Sequence, residues 1–219
     1  MIAAVICVGN EKTYQSVAAP SISRQDVDGL AVFEVRNQNS IHMAYNRSLA
    51  EIRELNCETA ILMHEDVSFK DSTLFEKIRD YLLSNPDVAV TGPVGALNVR
   101  SLAWWEGEMH GRVSDPFVTI DTADPYCDVD SLDGMFLALN RWSIHNLQFD
   151  PTYGGFHGYD AEICFQARSM GKRITTSEIP VFHHTKGGYG DQNAYRKAEL
   201  HFAKKWMSTT SQFTPTSLI

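Results

Sequence analysis

Thr59-Ala60-Ile61-Leu62-Met63 runs without a break into His64-Glu65-Asp66, and chemistry is expected where the apolar run turns polar. A short apolar run bounded by polar residues reads as a strand buried on both faces. Its last residues emerge at the carboxyl edge of the sheet, where open α/β folds bind ligands. Two acids have little packing use there, but their oxygens suit a hard divalent cation. The structural alternative is that Asp66 caps a loop or starts the helix after Asp71. A second stretch is Trp104-Trp105, followed by Glu106, Glu108, His110 and Arg112. Paired tryptophans beside carboxylates suit a sugar-binding surface, since pyranose faces stack on aromatic rings; core or interface packing is the competing reading. A third is Tyr159-Asp160-Ala161-Glu162, which follows the Gly-rich loop Tyr153-Gly154-Gly155-Phe156-His157-Gly158. Asp160 reads as the N-cap of a helix, and the helix dipole favours keeping such a carboxylate ionised.

These groups need a scaffold, and the hydrophobic pattern supplies one. Ile2 to Val8 reads as a buried strand broken by Gly9-Asn10, then a helix from about Lys12 to Ala19 stopped by Pro20. Leu30 to Val35 reads as a second strand. Ile41, Ala44, Tyr45, Leu49, Ile52 and Leu55 recur at helical spacing behind a cap at Ser40 or Asn39. The strand ending at His64, a helix near residues 72–83 and a strand at Val88 to Val90 follow. This strand–helix alternation predicts a parallel sheet with helices on both faces over the first 93 residues. Leu97 to Asp128 shows no clear period and reads as loop. Beyond it come a strand from Met135 to Leu139, the helix opened at Tyr159 and ended by Gly171, a strand from Ile174 to Val181, and a helix near residues 193–206.

Length and composition bound the answer. A chain of 219 residues with 43% hydrophobic content fits one domain with a full core. A net charge of −8 disfavours nucleic acid or an anionic membrane as the main partner. No segment reaches bilayer-spanning length, and the start lacks the basic n-region of a secretory signal. Cys7, Cys57, Cys127 and Cys164 lie far apart and read as reduced thiols, so cytoplasm is the expected compartment. No Gly-x-Gly-x-x-Gly or Walker loop follows the first strand, which argues against a dinucleotide or P-loop enzyme.

Taken in order, the motifs resemble the family-2-type glycosyltransferases of GT-A fold, and within them the glycosyltransferase-like group related to a streptomycin-biosynthesis protein. The matching pieces are Asn37, Ala44-Tyr45-Asn46, Met63-His64-Glu65-Asp66-Val67, Leu132-Asp133-Gly134 and Phe149-Asp150. Phe156-His157-Gly158-Tyr159-Asp160-Ala161-Glu162-Ile163-Cys164 and Phe182-His183-His184 follow, with Phe202 and Lys205-Trp206 as the closing signature. The resemblance implies a Rossmann-like mixed central sheet flanked by helices, in a single domain spanning 1–208. Within it, residues 1–95 form a nucleotide-binding half and 96–208 an acceptor and catalytic half, followed by a flexible tail at 209–219. It implies donor contacts from Val8, Asn37, Asn46, His64, Glu65, Asp66, Asp133 and Gly134, and acceptor contacts from Trp104, Trp105, His157 and Tyr159. Asp66 matches the last acid of the metal motif, Asp160 the base, and His183 the C-terminal histidine, with His184 as its fallback. Two positions depart from the pattern: His64 stands for the usual first acid, and Tyr159 for the acid before the base.

The implied activity is a metal-dependent, inverting transfer of a hexosyl group from a nucleotide-diphosphate-sugar to a hydroxyl of a carbohydrate or other acceptor. Mn²⁺ or Mg²⁺ on Asp66 would neutralise the diphosphate leaving group, with an imidazole ligand tilting the choice towards Mn²⁺. A single carboxylate base with no covalent nucleophile implies inversion. The competing readings are a non-catalytic nucleotide-sugar-binding domain with a degenerate site, favoured by His64 and Tyr159, and a metal-dependent nucleotidyltransferase. A homo-oligomer is left open.

Overall fold

The computed structural model describes residues 1–187 and 190–207; the tail expected at 209–219 lies outside the described residues. In chain order the first elements are β1 (Ile2–Val8), α1 (Glu11–Ser16), α2 (Ala18–Ser23), β2 (Leu30–Arg36), α3 (Ile41–Glu54) and β3 (Thr59–His64). Next come β4 (Val67–Phe69), α4 (Leu74–Ser84), β5 (Val88–Gly92), β6 (Val94–Leu97), β7 (Glu108–Ser114) and β8 (Thr119–Asp121). The chain continues with β9 (Ser131–Leu132), β10 (Phe136–Asn140), α5 (Arg141–Asn146), α6 (Tyr159–Ser169), β11 (Arg173–Thr176), β12 (Val181–His183) and α7 (Gln192–Phe202).

The central sheet has the order β11-β5-β10-β3-β1-β2. β1 pairs in parallel with both β2 and β3, and β5 with β11, while β10 runs antiparallel between β3 and β5. The sheet is therefore mixed. Strand–helix alternation alone would set β5 beside β3. Instead Phe136–Asn140, buried at every position, takes the middle of the sheet, where both of its faces are covered. Successive side chains of β1 serve opposite faces. Ile2, Ala4 and Ile6 pack with α1, α2 and α4, whereas Ala3 and Val5 pack with Ile41, Tyr45, Leu49 and Ile52 of α3. Cutting a fully buried anchor such as Phe136 to alanine should cost about 3–5 kcal/mol.

Three local expectations are corrected. The helix expected at Lys12 to Ala19 is two helices, broken at Val17, whose backbone (φ −120°, ψ −71°) is not helical. Pro20 does not stop a helix: it lies in the first turn of α2, where its missing N–H costs nothing. Residues 97–128 are not all loop. They contribute β7 and β8 to a second sheet ordered β4-β12-β7-β6-β9, with β8 on β7. In β7 only Gly111 and Val113 are buried, so no apolar run marks it. The stretch Ile174 to Val181 is two strands in different sheets, β11 and β12, with Pro180 between them unable to donate to a ladder.

Candidate active site

At the carboxyl ends of β1, β2 and β3 lies a cleft of about 470 Å³, lined by Cys7, Val8, Gly9, Val35, Asn37, Gln38, Ile41, His64, Glu65, Asp66 and Phe156. Parallel register builds its floor, because Cys7 pairs with His64 and Val8 with Arg36. The turn after β1 is held from across the sheet. Glu65 Oε2 accepts from Gly9 N at 2.6 Å and Asn10 N at 2.8 Å, and Asn10 in turn caps α1 by accepting from Thr13 N. Asn37 takes a left-handed conformation (φ 57°), which its short polar side chain tolerates, and carries the opposite wall. Val8, Asn37 and Glu65 thus sit where a donor was expected. Asn46 does not. Its amide donates to Phe149 O at 2.7 Å and accepts from Phe149 N at 2.9 Å, so it fastens α3 to the chain before the Gly-rich loop.

His64, Asp66 and His183 each offer a ligand atom within 4.8 Å of the others. His183 arrives on β12, which pairs antiparallel with β4 just past Asp66. His183 Nε2 lies 3.3 Å from Asp66 Oδ1, and His64 Nδ1 lies 3.9 Å from the same oxygen. That oxygen is buried and has no hydrogen-bond partner. His184 faces elsewhere, bonded through Nε2 to Ser68 Oγ at 2.8 Å, so the fallback is not needed. Burial lowers the proton affinity of His64, which leaves its ring neutral with a lone pair to give. Burial also works against a charged His183, but Asp66 at its side outweighs it and the pKa goes up. Burial likewise opposes the Asp66 anion, yet the two histidines hold its pKa below the usual carboxylate value.

The two departures from the family pattern are partners. Tyr159, buried at the start of α6, sets its hydroxyl 2.6 Å from His64 Nε2. A neutral imidazole that donates Nε2–H to this phenol keeps its Nδ1 lone pair on the Asp66 side. Gly134 makes the contact possible, since a Cβ there would overlap the Tyr159 hydroxyl and ring. Tyr159 therefore supports His64 from beneath the cleft, and its expected acceptor contact is corrected.

Asp160 is not the N-cap of α6; that position is Gly158 in a left-handed conformation (φ 79°). Its Oδ2 accepts from Gly134 N at 3.2 Å, which ties it to the turn before β10. Asp133 in that turn accepts from Met135 N at 2.8 Å. Desolvation by burial, then the like charge of Asp133, push the Asp160 pKa up to about 7, outweighing the stabilising backbone N–H groups. Its place at the start of α6 therefore does not hold its pKa low, contrary to the expectation from the sequence. A carboxyl poised near neutrality is the state a general base needs.

Trp104 is only 6% exposed and packs in the core, so it offers no face to a sugar. Trp105 is half-buried against the same cluster, ring centroid 6.0 Å from that of Trp104. His157 packs edge-on against Tyr195 rather than lining the cleft. The aromatic ring that does reach the cleft is Phe156, half-exposed and overlooked in the sequence. Its signal was the neighbouring Gly154-Gly155 pair at positive φ, with Gly155 O accepting from Ile41 N.

The family model described as "glycosyltransferase like family" matches residues 3–206. The chain is 29% identical over 212 residues to the streptomycin biosynthesis protein StrF of Streptomyces griseus, covering 94% of this chain and 75% of that protein. Among solved structures, A197 from STIV superposes with a TM-score of 0.55 at 14% identity, over 84% of this chain and 86% of that one. S. aureus TarS 1-349 in complex with UDP superposes with a TM-score of 0.56 at 9% identity, over 100% of this chain and 75% of that one.

Proposed function

This chain belongs to the glycosyltransferase-like family and has the GT-A fold, and from that premise we propose that it moves a hexosyl group from a nucleoside-diphosphate-sugar to an acceptor hydroxyl, with inversion. The observation that carries the reading is the cleft whose lining includes His64 and Asp66 of an oxygen-and-imidazole cluster. Asp160 does not line that cleft but is the chain neighbour of Tyr159, which hydrogen-bonds His64. Among the described residues lining the cleft, none is Lys or Arg, while Glu65 and Asp66 are acids. Arg36 at the end of β2 is engaged by Glu11 and Glu34. A diphosphate needs positive charge from another source.

A divalent cation fits the residues present. Asp66 Oδ1 is buried without a hydrogen bond, and His64 and His183 flank it. The two imidazoles favour Mn²⁺ over Mg²⁺. When bound, the ion would act as a Lewis acid that offsets charge on the departing diphosphate. The chain's own residues do the rest. Glu65 fixes the Gly9-Asn10 amides at the cleft mouth, and Tyr159 orients His64. Asp160, ionised, takes the proton of the acceptor hydroxyl as it attacks the anomeric carbon. Asp133 raises the proton affinity of that base and so its strength. No second carboxylate is assigned as a nucleophile, hence a single displacement. UDP, bound by the related TarS structure, is the first diphosphate to try.

Calorimetric titration with UDP and other nucleoside diphosphates, with and without Mn²⁺, followed by assay of nucleoside diphosphate release from the matching donor sugars, tests the reading. Mn²⁺-dependent binding with acceptor-stimulated release is expected. Binding without release in any acceptor pool would make this a nucleotide-sugar-binding domain instead.

A further inference from the structure

Glu162 is a carboxylate with no solvent exposure and no part in the chemistry above. A buried ion requires partners that donate to it. Tyr153 Oη donates at 2.9 Å, Lys205 Nζ at 2.7 Å and Trp206 Nε1 at 2.6 Å. Lys205 and Trp206 belong to Ala203–Met207, a π-helical turn after α7, a form that is rare and concentrated at functional positions. The Lys205 ammonium also reaches Asp150 Oδ2 at 2.8 Å. One cation therefore ties the start of the Gly-rich loop, Asp150, to a residue two places beyond Asp160.

The loop between is packed on the same device. Tyr153 stacks on buried His42 of α3 (ring centroids 5.5 Å apart, planes at 17°) and meets His201 of α7 edge-on at 4.3 Å. At about 100° per residue, Glu162 projects roughly opposite to Asp160 on α6. Glu162 thus anchors the inner side of the helix turn whose other side carries the base. None of Glu162, Lys205 and Trp206 lines the donor cleft, and the Phe156 wall is held independently through Gly155 O and Ile41 N.

We propose that Lys205 and Trp206 are positioning residues, a C-terminal clamp that acts through Glu162 to hold Asp160 in place for the transfer step. The inference rests on the reading of Asp160 as base. Lys205→Met, Trp206→Phe and Lys205→Arg, compared in the full chain, test it. Lys205→Met should lower kcat by about tenfold or more, as misplacement of a reacting group does, with the UDP–Mn²⁺ affinity within twofold of the parent. Lys205→Arg should recover most of the rate, because its fork can still reach both carboxylates. Hydrogen exchange at residues 159–164 should speed up in Lys205→Met while β1 and β3 stay protected. Trp206→Phe, which keeps an aromatic ring but loses the smaller ring of the indole with its N–H, gives the same readouts if Lys205→Met does not fold. Parent-level kcat in the folded variants, or a loss of UDP–Mn²⁺ affinity as large as the loss of kcat, overturns the clamp. If the parent protein transfers no sugar, the catalytic reading fails; unchanged exchange at 159–164 would then overturn the clamp separately.

Discussion

Asp66, which lines the cleft, and Asp160, which adjoins the Tyr159 that supports His64, are both half-buried carboxylates, and their surroundings push their proton affinities in opposite directions. Asp66 has two imidazoles for neighbours and is held as an anion in spite of its burial. Asp160 has Asp133 for a neighbour and is pushed up to about 7. Two acids whose environments separate their pKa values in this way divide the labour of a reaction. On the proposed function, the Asp66 side binds and the Asp160 side exchanges a proton. Their supports differ as well. The Asp66 side rests on parallel register and the β4–β12 ladder, whereas the Asp160 side rests on contacts to Gly134 and on a side-chain network reaching Trp206.

That division predicts separable defects. The largest belongs to Asp160→Asn, for which kcat should fall by about 10²-fold or more with UDP–Mn²⁺ affinity unchanged, as for an interaction made only in the transition state. In the parent, the rate should rise with pH through about 7, because only the ionised carboxylate accepts a proton. A parallel loss of affinity in Asp160→Asn would merge the two sides into one. Next, Asp66→Asn should weaken Mn²⁺-dependent UDP binding by roughly 10-fold or more, since an amide is a poor ligand for a hard cation. Calorimetric affinity equal to the parent would remove Asp66 from the cation cluster. In the parent, binding should weaken on acidification from a higher pH than an ordinary imidazole would give, because the His183 pKa is raised and its proton competes with the cation.

Smaller effects should appear in stability. Asp160 holds its proton more tightly folded (about 7) than its ordinary 3.8, so its ionisation costs stability progressively between those values. Asp160→Asn should therefore be neutral near pH 4 and more stable than the parent above pH 7, by on the order of 1–2 kcal/mol after allowing for partial exposure. A melting temperature that does not rise at pH 8 would show that burial is not what shifts this group. The least is expected of Glu65→Gln, which still accepts hydrogen bonds but loses their charge assistance to Gly9 and Asn10. It should cost about 1 kcal/mol and only a few-fold in donor KM. A hundred-fold rise would place Glu65 on the ligand itself.

The strands β1 and β3 and the helix α3 were legible in the chain because a strand covered on both faces needs an unbroken apolar run, and an amphipathic helix a repeating stripe. His64-Glu65-Asp66, Asp160 and His183 were legible as motifs in order, and the fold does bring His64, Asp66 and His183 together. Periodicity is silent on partners far apart in sequence. It did not show β10 entering between β3 and β5, nor the weakly apolar β7 building a second sheet. It left Trp104 open between a sugar face and the core, and burial chose the core. It presented His64 and Tyr159 as two separate departures, although 95 residues apart they share one hydrogen bond. Helix position alone does not set the proton affinity of Asp160. Desolvation and the charge of Asp133 set it, and both arise only when the folded chain removes water and brings distant residues together.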